Sequence, residues 1–168
     1  MNTEKKYKQL PNLENHMCFG CSPINDAGLQ MQFYTDEVSL FSDVVVPGHL
    51  CGWKNLVHGG VISTLLDEIM GRAAIYLLKR LHLTKSMTID FMKPVYIGEK
   101  LLVEARIKEI KQEKRVEVIG WIRNEQHQVC ASATGTFILF SIAAIRKLGI
   151  ADEQSLEWFE QFMGTQEI

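Results

Sequence analysis

Apolar residues recur in pairs every four positions through the middle of the chain. The pairs are Val61-Ile62, Leu65-Leu66, Ile69-Met70, Ala73-Ala74 and Leu77-Leu78. This spacing predicts a helix with an unusually wide apolar face, and such a helix is buried in a protein core. The polar residues between the pairs form one narrow stripe: Ser63-Thr64, Asp67-Glu68 and Gly71-Arg72. Within that stripe, Glu68 stands four residues before Arg72, the favourable order for a helical ion pair.

After the helix the pattern changes to alternation, which predicts strands with one buried face. These strands are expected at residues 86–92, 100–108, 116–123 and 129–140, with polar turns at 112–114 and 124–128. Two further strands, at 29–34 and 40–46, are predicted before the helix. A long helix followed by four antiparallel strands in a meander favours an α+β protein whose antiparallel sheet wraps around the helix.

The two ends of the chain carry a weaker pattern. Residues 1–17 form a polar lead with a short helix expected at 10–15, and residues 141–168 form a helical extension. Asp152 is the expected cap of a last helix. Its apolar stripe would consist of Leu156, Phe159, Phe162 and Met163. We expect this helix to pack on its own subunit or a dimer neighbour, and a lid over a ligand channel is the alternative.

Composition narrows the class of protein. The chain has 168 residues, of which 46% are hydrophobic and 23% charged, as in a soluble globular domain. A net charge of −2 without a long basic run argues against nucleic acid as a partner. No apolar run reaches the roughly 18–20 residues that span a membrane, and the lysine-rich start lacks the apolar core of a signal peptide. We expect a cytoplasmic protein whose four cysteines are reduced thiols.

The start of the predicted helix offers hydrogen-bond donors to a ligand. Gly59 and Gly60 place backbone without side chains where the first-turn amides are unpaired, which suits a carbonyl oxygen that becomes an anion. At about 1.5 Å per residue, Asp67 lies roughly 10 Å further along the same helix face. One reacting carbonyl cannot contact both features, so their cooperation requires a second, antiparallel copy of the helix. The spacing therefore favours a homodimer with its sites at the interface.

These residues resemble a known signature. His58-Gly59-Gly60 followed by Leu65-Leu66-Asp67 resembles the HGG…D motif of hotdog-fold acyl-CoA thioesterases, in the branch of the phenylacetate-pathway and human thioesterase-superfamily enzymes. The resemblance covers about residues 18–140. It implies a hotdog domain over that range, between the lead and the extension, with acyl-CoA as substrate and a homodimer or dimer of dimers as the assembly.

The resemblance also implies site residues. The Gly59 and Gly60 amides would polarise the thioester carbonyl, and Asp67 of the facing subunit would act as general base or nucleophile. His58 would fix the loop before the helix or reach the substrate carbonyl. No cofactor or metal is implied, since coenzyme A belongs to the substrate. The alternative for Asp67 is a buried polar group satisfied by neighbouring hydroxyls or a strand.

Thr84 is the third residue that the resemblance implies. It stands ten positions before Pro94 in TKSMTIDFMKPV, as does the Ser or Thr that orients water or nucleophile in the family's TxNxxINYxRPV-like strand. The family's basic residue before the proline is Lys93 here. A hydroxyl that merely starts a strand is the alternative for Thr84. For the coenzyme A phosphates, basic residues near the interface rim are candidates. These are Lys93, Arg106 and Arg123.

A second group of residues could bind a metal. His16, Cys18 and Cys21 lie within six residues, and His49 and Cys51 could complete a four-ligand zinc site. However, CFGCSPINDAGLQMQF resembles the CFxCGxxNxxGL segment with which many of these thioesterases lead into the first strand. That segment is not known as a metal site. We therefore expect turn chemistry around glycine, proline and asparagine, and no metal.

Three competing functions remain open at this point. A hotdog hydratase or dehydratase acting on acyl thioesters would need a catalytic histidine paired with a carboxylate. His58 and Asp67 could meet in that way only across a subunit interface. A non-catalytic acyl-CoA-binding protein would keep the fold without turnover. A zinc-binding interaction protein would use His16, Cys18 and Cys21.

Overall fold

One seven-stranded antiparallel sheet packs against one long helix in the computed structural model, which describes residues 7–164. The strands are β1 (Lys8–Gln9), β2 (Tyr34–Thr35), β3 (Ser39–Val45), β4 (Leu81–Phe91), β5 (Lys100–Gln112), β6 (Arg115–Arg123) and β7 (Val129–Phe140). The helices are α1 (Gly59–Leu78), α2 (Ile142–Leu148) and α3 (Glu153–Gly164), with a short 3-10 turn at Gly48–Leu50. The α+β hotdog prediction is confirmed. Among the described residues, none of the helices is long and apolar enough to cross a bilayer.

Helix α1 is the predicted central helix, and its apolar pairs bury it. The first four pairs are buried, and the fifth, Leu77-Leu78, is half-buried at the C-terminal end. The helix packs against β3 to β7, so its side chains form the middle of the main core. Lys79 ends the helix in the left-handed conformation with φ of 53°. The chain then enters β4 after only one further residue.

The order of the strands corrects the predicted meander. β5, β6 and β7 do lie side by side, but β4 crosses to the far edge of the sheet and pairs with β7. Alternation of apolar residues reveals which face of a strand is buried but not which strand is its neighbour. β4 also begins at Leu81 and not at residue 86, because the turn after α1 leaves no loop between helix and strand.

The predicted strand at residues 29–34 is wrong except at its last residue. Tyr34 belongs to β2, whereas the preceding residues bind backbone outside any strand: the Leu29 and Met31 amides donate to the Phe19 and Gly20 carbonyls. Gln30 has a φ of 47°, which interrupts an extended strand. Apolar residues alternate here because the segment is buried, although it forms no ladder.

The short helix expected at residues 10–15 is also wrong. The Leu10 amide donates to the Phe33 carbonyl at 2.8 Å, which continues the extended course of β1. Pro11 accounts for this, because the residue before a proline is disfavoured in the helical region. The Asn12 side-chain amide then donates to the Met31 carbonyl at 2.9 Å and fixes the lead against the chain.

The C-terminal extension contains the predicted helix and one that was missed. Asp152 caps α3 by accepting from the Ser155 amide at 2.8 Å, and Phe162 packs on Tyr76 of α1 in its own subunit, with ring centroids 6.1 Å apart. The missed helix is α2, which Ser141 caps and Gly149 ends with a φ of 66°. A serine cap and a terminal glycine are recognisable signals of a short helix.

Candidate active site

Asp67 and Thr84 form the centre of the candidate site. Asp67 extends from α1, and the Thr84 hydroxyl of β4 donates to its Oδ1 at 2.9 Å. Burial of the half-exposed carboxyl raises the pKa of Asp67, the Thr84 hydrogen bond lowers it in part, and the neighbouring Glu68 charge raises it. A carboxyl with a raised pKa held by one hydroxyl is suited to exchanging a proton or attacking a carbonyl.

The hydroxyls beside Asp67 do not bind it. Ser63 donates to the Gly59 carbonyl and Thr64 donates to the Gly60 carbonyl, each at 2.9 Å, so both bond to the helix backbone. Together with Asp67, Thr84 and Met87, these two side chains line a shallow depression on the open face of α1. The expected alternative partners of Asp67 on its own helix are therefore engaged elsewhere.

His58 caps the N-terminus of α1. Its Nδ1 accepts a hydrogen bond from the Gly60 amide at 2.9 Å, which occupies one of the two donors expected to face a substrate carbonyl. Gly59 and Gly60 are both exposed, and the Phe91 ring lies beside Gly59. The structure thus places His58, Gly59 and Gly60 together at the helix start, two turns of helix from Asp67.

A cavity of about 370 Å³ lies behind Asp67, between α1 and the C-terminal extension. Its apolar wall consists of Leu13, Ile75, Ile150, Ala151 and Phe159. His82 also lines it, and burial, followed by the Arg72 charge, lowers the pKa of His82 to about 4. Sequence reasoning missed His82. The ring packs against Gly71 of α1, where a Cβ would lie 2.5 Å from it, and this contact forms only in the folded chain.

The basic candidates for phosphate binding lie in different environments. Lys93 lines a groove with Gly59 and Phe91 at the start of α1, and its Nζ donates to Gln128 at 3.0 Å. Arg106 lies over the Trp121 ring, 5.2 Å from its centroid. Arg123 lies 4.0 Å from Glu104 in the sheet. Of the three, Lys93 is the one that the structure places beside the glycine pair.

The cysteine turn, defined as residues 16–22, brings together three of the five residues that were considered as metal ligands. Ligand atoms of His16, Cys18 and Cys21 lie within 4.8 Å of one another. His49 and Cys51 do not belong to this group among the described residues. All four cysteines are free thiols, as expected.

Comparison with known proteins shows what the domain is similar to. Residues 54–131 match the family model of the thioesterase superfamily, a segment that runs from the loop before α1 into β7 and includes His58, Asp67 and Thr84. The chain therefore contains a domain of the hotdog fold, within which residues 54–131 are similar to the thioesterase superfamily. This hotdog domain is 27% identical over 93 residues to acyl-coenzyme A thioesterase THEM4 of Xenopus laevis, a match that covers 55% of this chain and 41% of that protein. A Schizosaccharomyces pombe protein, uncharacterised, is 26% identical over 93 residues, which cover 53% of each chain. The chain thus spans about half the length of these relatives.

Solved structures share the hotdog fold. A thioesterase superfamily protein superposes with a TM-score of 0.64 at 24% identity, covering 69% of this chain and 57% of that one. A Streptococcus mutans protein bound to acetyl CoA gives 0.59 at 18% identity, covering 84% and 94%. The Escherichia coli PaaI protein of the phenylacetic acid degradation operon gives 0.59 at 20% identity, covering 67% and 81%.

Proposed function

We propose that this protein is an acyl-CoA thioesterase, which hydrolyses an acyl-CoA to the free acid and coenzyme A. The observation that carries the proposal is the Asp67–Thr84 pair on the open face of α1, in line with the glycines at the helix start. The thioesterase superfamily match and the acyl-coenzyme A thioesterase name of the frog relative support it. So does acetyl CoA in the Streptococcus mutans structure of the same fold.

The proposed active unit is a homodimer, alone or as a dimer of dimers. Within one chain, Gly60 and Asp67 are about 10 Å apart along α1, too far to act on one carbonyl. The helix face that bears both is open in the single chain, and β4 beside it is the edge strand of the sheet. An antiparallel second copy would bring its Asp67 to the first copy's Gly60 and would cover that edge.

In the proposed reaction, the helix start holds the thioester carbonyl. The Gly59 amide donates to the carbonyl oxygen, and the Gly60 amide joins it when the His58 ring turns away from its cap. Such donors typically contribute about 3 kcal/mol each to stabilising the oxyanion. The apolar acyl chain would occupy space beside α1, and Lys93 would meet a coenzyme A phosphate at the rim.

Asp67 of the facing subunit then has two possible roles. As general base, it takes a proton from water while the water oxygen bonds to the carbonyl carbon, and the C–S bond breaks to release coenzyme A. As nucleophile, its carboxylate forms a mixed anhydride as the thiolate leaves, and water then cleaves the anhydride. In both cases Thr84 holds the carboxylate oriented, and the only co-reactant is water.

The test measures thiol release from short, long and aromatic acyl-CoAs. Asp67→Asn keeps the side-chain shape and removes the charge, so the turnover rate should fall by about 100-fold or more. Asp26→Asn makes the same change at an exposed position and should leave turnover unchanged. Equal rates in the native protein and Asp67→Asn would contradict the proposal. Saturable binding of every acyl-CoA without turnover would indicate a binding protein instead.

A further inference from the structure

The cysteine turn contains three side chains that could bind a metal ion and that have no role in the proposed hydrolysis. Cys18 is half-buried, Cys21 is buried, and ligand atoms of both lie within 4.8 Å of each other and of a His16 ring nitrogen. His16 Nδ1 accepts from the Cys18 amide at 3.3 Å. Its Nε2 is buried and finds no hydrogen-bond partner within residues 7–164. A buried polar atom without a partner is uncommon in native proteins and requires an explanation.

Contacts outside this group fix its geometry. The Ser22 hydroxyl, which is fully buried, donates to the His16 carbonyl at 2.5 Å, and the Ser22 amide donates to the Cys18 carbonyl at 3.2 Å. A Cβ at Gly20 would lie 2.5 Å from the Glu68 carboxylate, so the turn is seated directly on α1. The three ligand residues therefore lie in a turn that Ser22 and the contact with α1 hold in place.

The charges around the group suit a divalent cation bound by two thiolates. Arg72 donates to Cys21 Sγ at 3.2 Å, and the Cys18 thiol donates to Glu68 Oε2 at 3.7 Å. Glu68 and Arg72 balance each other at 3.8 Å. A Zn²⁺ ion that replaces the two thiol protons leaves the total charge of the site unchanged, since neutral histidine adds none.

We propose that His16, Cys18 and Cys21 bind one zinc ion that holds the cysteine turn against α1. Zinc binds thiolate sulfur at about 2.3 Å and imidazole nitrogen at about 2.0–2.1 Å in a tetrahedron, so neighbouring ligand atoms lie roughly 3.5–3.8 Å apart. The ligand atoms already lie within 4.8 Å of one another, about 1 Å from that spacing. The Glu68 carboxylate oxygen, already 3.7 Å from Cys18 Sγ, faces the remaining position.

This inference replaces the expectation of simple turn chemistry. The sequence could not show that His16 folds back onto the cysteine pair, nor that the pair lies on a carboxylate and a guanidinium of α1. The ion's role is structural, because Asp67 and Thr84 supply the proposed hydrolytic chemistry without it.

The test is a titration of the reduced, metal-free full chain with Co²⁺, which reports thiolate ligands by a charge-transfer band in the near ultraviolet. The expected result is one Co²⁺ per chain, displaced by one Zn²⁺, with the band reduced to about half or less in Cys18→Ser and unchanged in Cys51→Ser. Cys51 is an exposed free cysteine and provides the matched control. Because Cys18→Ser could fail to fold, a second measurement uses the native chain alone. Zinc should protect Cys18 and Cys21, but not Cys51, from iodoacetamide, as mapped by mass spectrometry.

Three outcomes would overturn the zinc site. They are the absence of a thiolate band at saturating Co²⁺, a band of undiminished intensity in folded Cys18→Ser, and alkylation of Cys18 and Cys21 that zinc does not slow. None of these measurements depends on the hydrolysis of an acyl-CoA. A failed zinc site would therefore leave the thioesterase proposal standing, and an inactive protein would leave the zinc site standing.

Discussion

Thr84 donates to Asp67 across the contact between β4 and α1, at 2.9 Å, so this hydrogen bond joins two elements of the fold. The other hydroxyls near Asp67 bond to the helix backbone, and His58 bonds to the amide two residues after it. The Asp67 carboxylate is thus oriented toward the sheet by the Thr84 hydroxyl. That arrangement makes Thr84 the residue whose replacement is most informative.

We predict that Thr84→Val shifts the pH dependence of hydrolysis. The Thr84 hydrogen bond lowers the pKa of Asp67, so its loss raises that pKa further. In the proposed reaction Asp67 acts in its ionised form, so activity should be lost as pH falls through its pKa, and the acid limb of kcat/KM should move to higher pH. A hydrogen bond to a charged group contributes about 1.5–3 kcal/mol, which corresponds to a displacement of the acid limb by roughly one to two pH units. Thr84→Ser should restore the native profile. An unchanged acid limb in Thr84→Val would exclude this role.

We predict that Asp67→Asn unfolds at a higher temperature than the native chain at neutral pH. Burial raises the folded-state pKa of Asp67 above its unfolded value, so the folded state loses stability as pH rises between the two pKa values. Asparagine removes the buried charge, and its amide oxygen still accepts from Thr84. Calorimetry at neutral pH should show the gain, and the gain should vanish below the ordinary pKa of 3.8. A lower melting temperature at neutral pH would indicate that the charge stabilises the fold.

The proposed dimer predicts that an acidic residue on the edge strand prevents assembly. Leu83 of β4 is 47% exposed in the single chain, and an aspartate there would place a charge at the proposed interface. Light scattering should give the monomer mass for Leu83→Asp, with loss of hydrolysis. Val38→Asp is the control, since Val38 is 68% exposed and precedes β3, away from the β4 edge. Equal masses for the two variants would show that the interface does not include the β4 edge.

The C-terminal extension should contribute to the stability of the main core. Phe162 is 6% exposed and lies 5.0 Å from Trp158 and 6.1 Å from Tyr76, measured between ring centroids. Phe162→Ala should therefore lower the free energy of unfolding by about 3–5 kcal/mol, as large-to-small changes in cores do. Trp53→Ala, at a side chain that is 86% exposed, should change it little. Chemical denaturation compares the two, and a small loss for Phe162→Ala would mean that the extension unfolds separately.

The sequence predicted the elements whose burial has a period. The pairs from Val61 onward predicted α1, and alternation predicted β7 with the observed bounds Val129–Phe140. The sequence-based prediction failed where a residue is buried without pairing in the sheet. Met31, for example, is buried, but its amide bonds to a carbonyl in a turn. The prediction also failed for the place of β4, because strand order depends on contacts between distant parts of the chain.

The candidate site likewise contains residues that the sequence predicted and residues that it did not. Asp67 and the glycine pair follow from helical spacing, and Thr84 followed from the family resemblance alone. The His58 bond to the Gly60 amide depends on a side-chain rotamer, which no spacing reveals. His82 is buried by packing against Gly71 and Phe137, two residues that lie 11 and 55 positions away in the sequence. Geometry of this kind is available only from the folded chain.

The place of β4 at the far edge also sets an order of events when the chain is made. β4 leaves the ribosome directly after α1, but its partner β7 follows only after β5 and β6, and Thr84 lies opposite Phe137, about fifty residues later. Until then, the strand that holds Asp67 in place has no ladder within the sheet. The strand that carries Thr84 is therefore paired within the sheet only once β7 has been made, well after Asp67 and Thr84 have both left the ribosome.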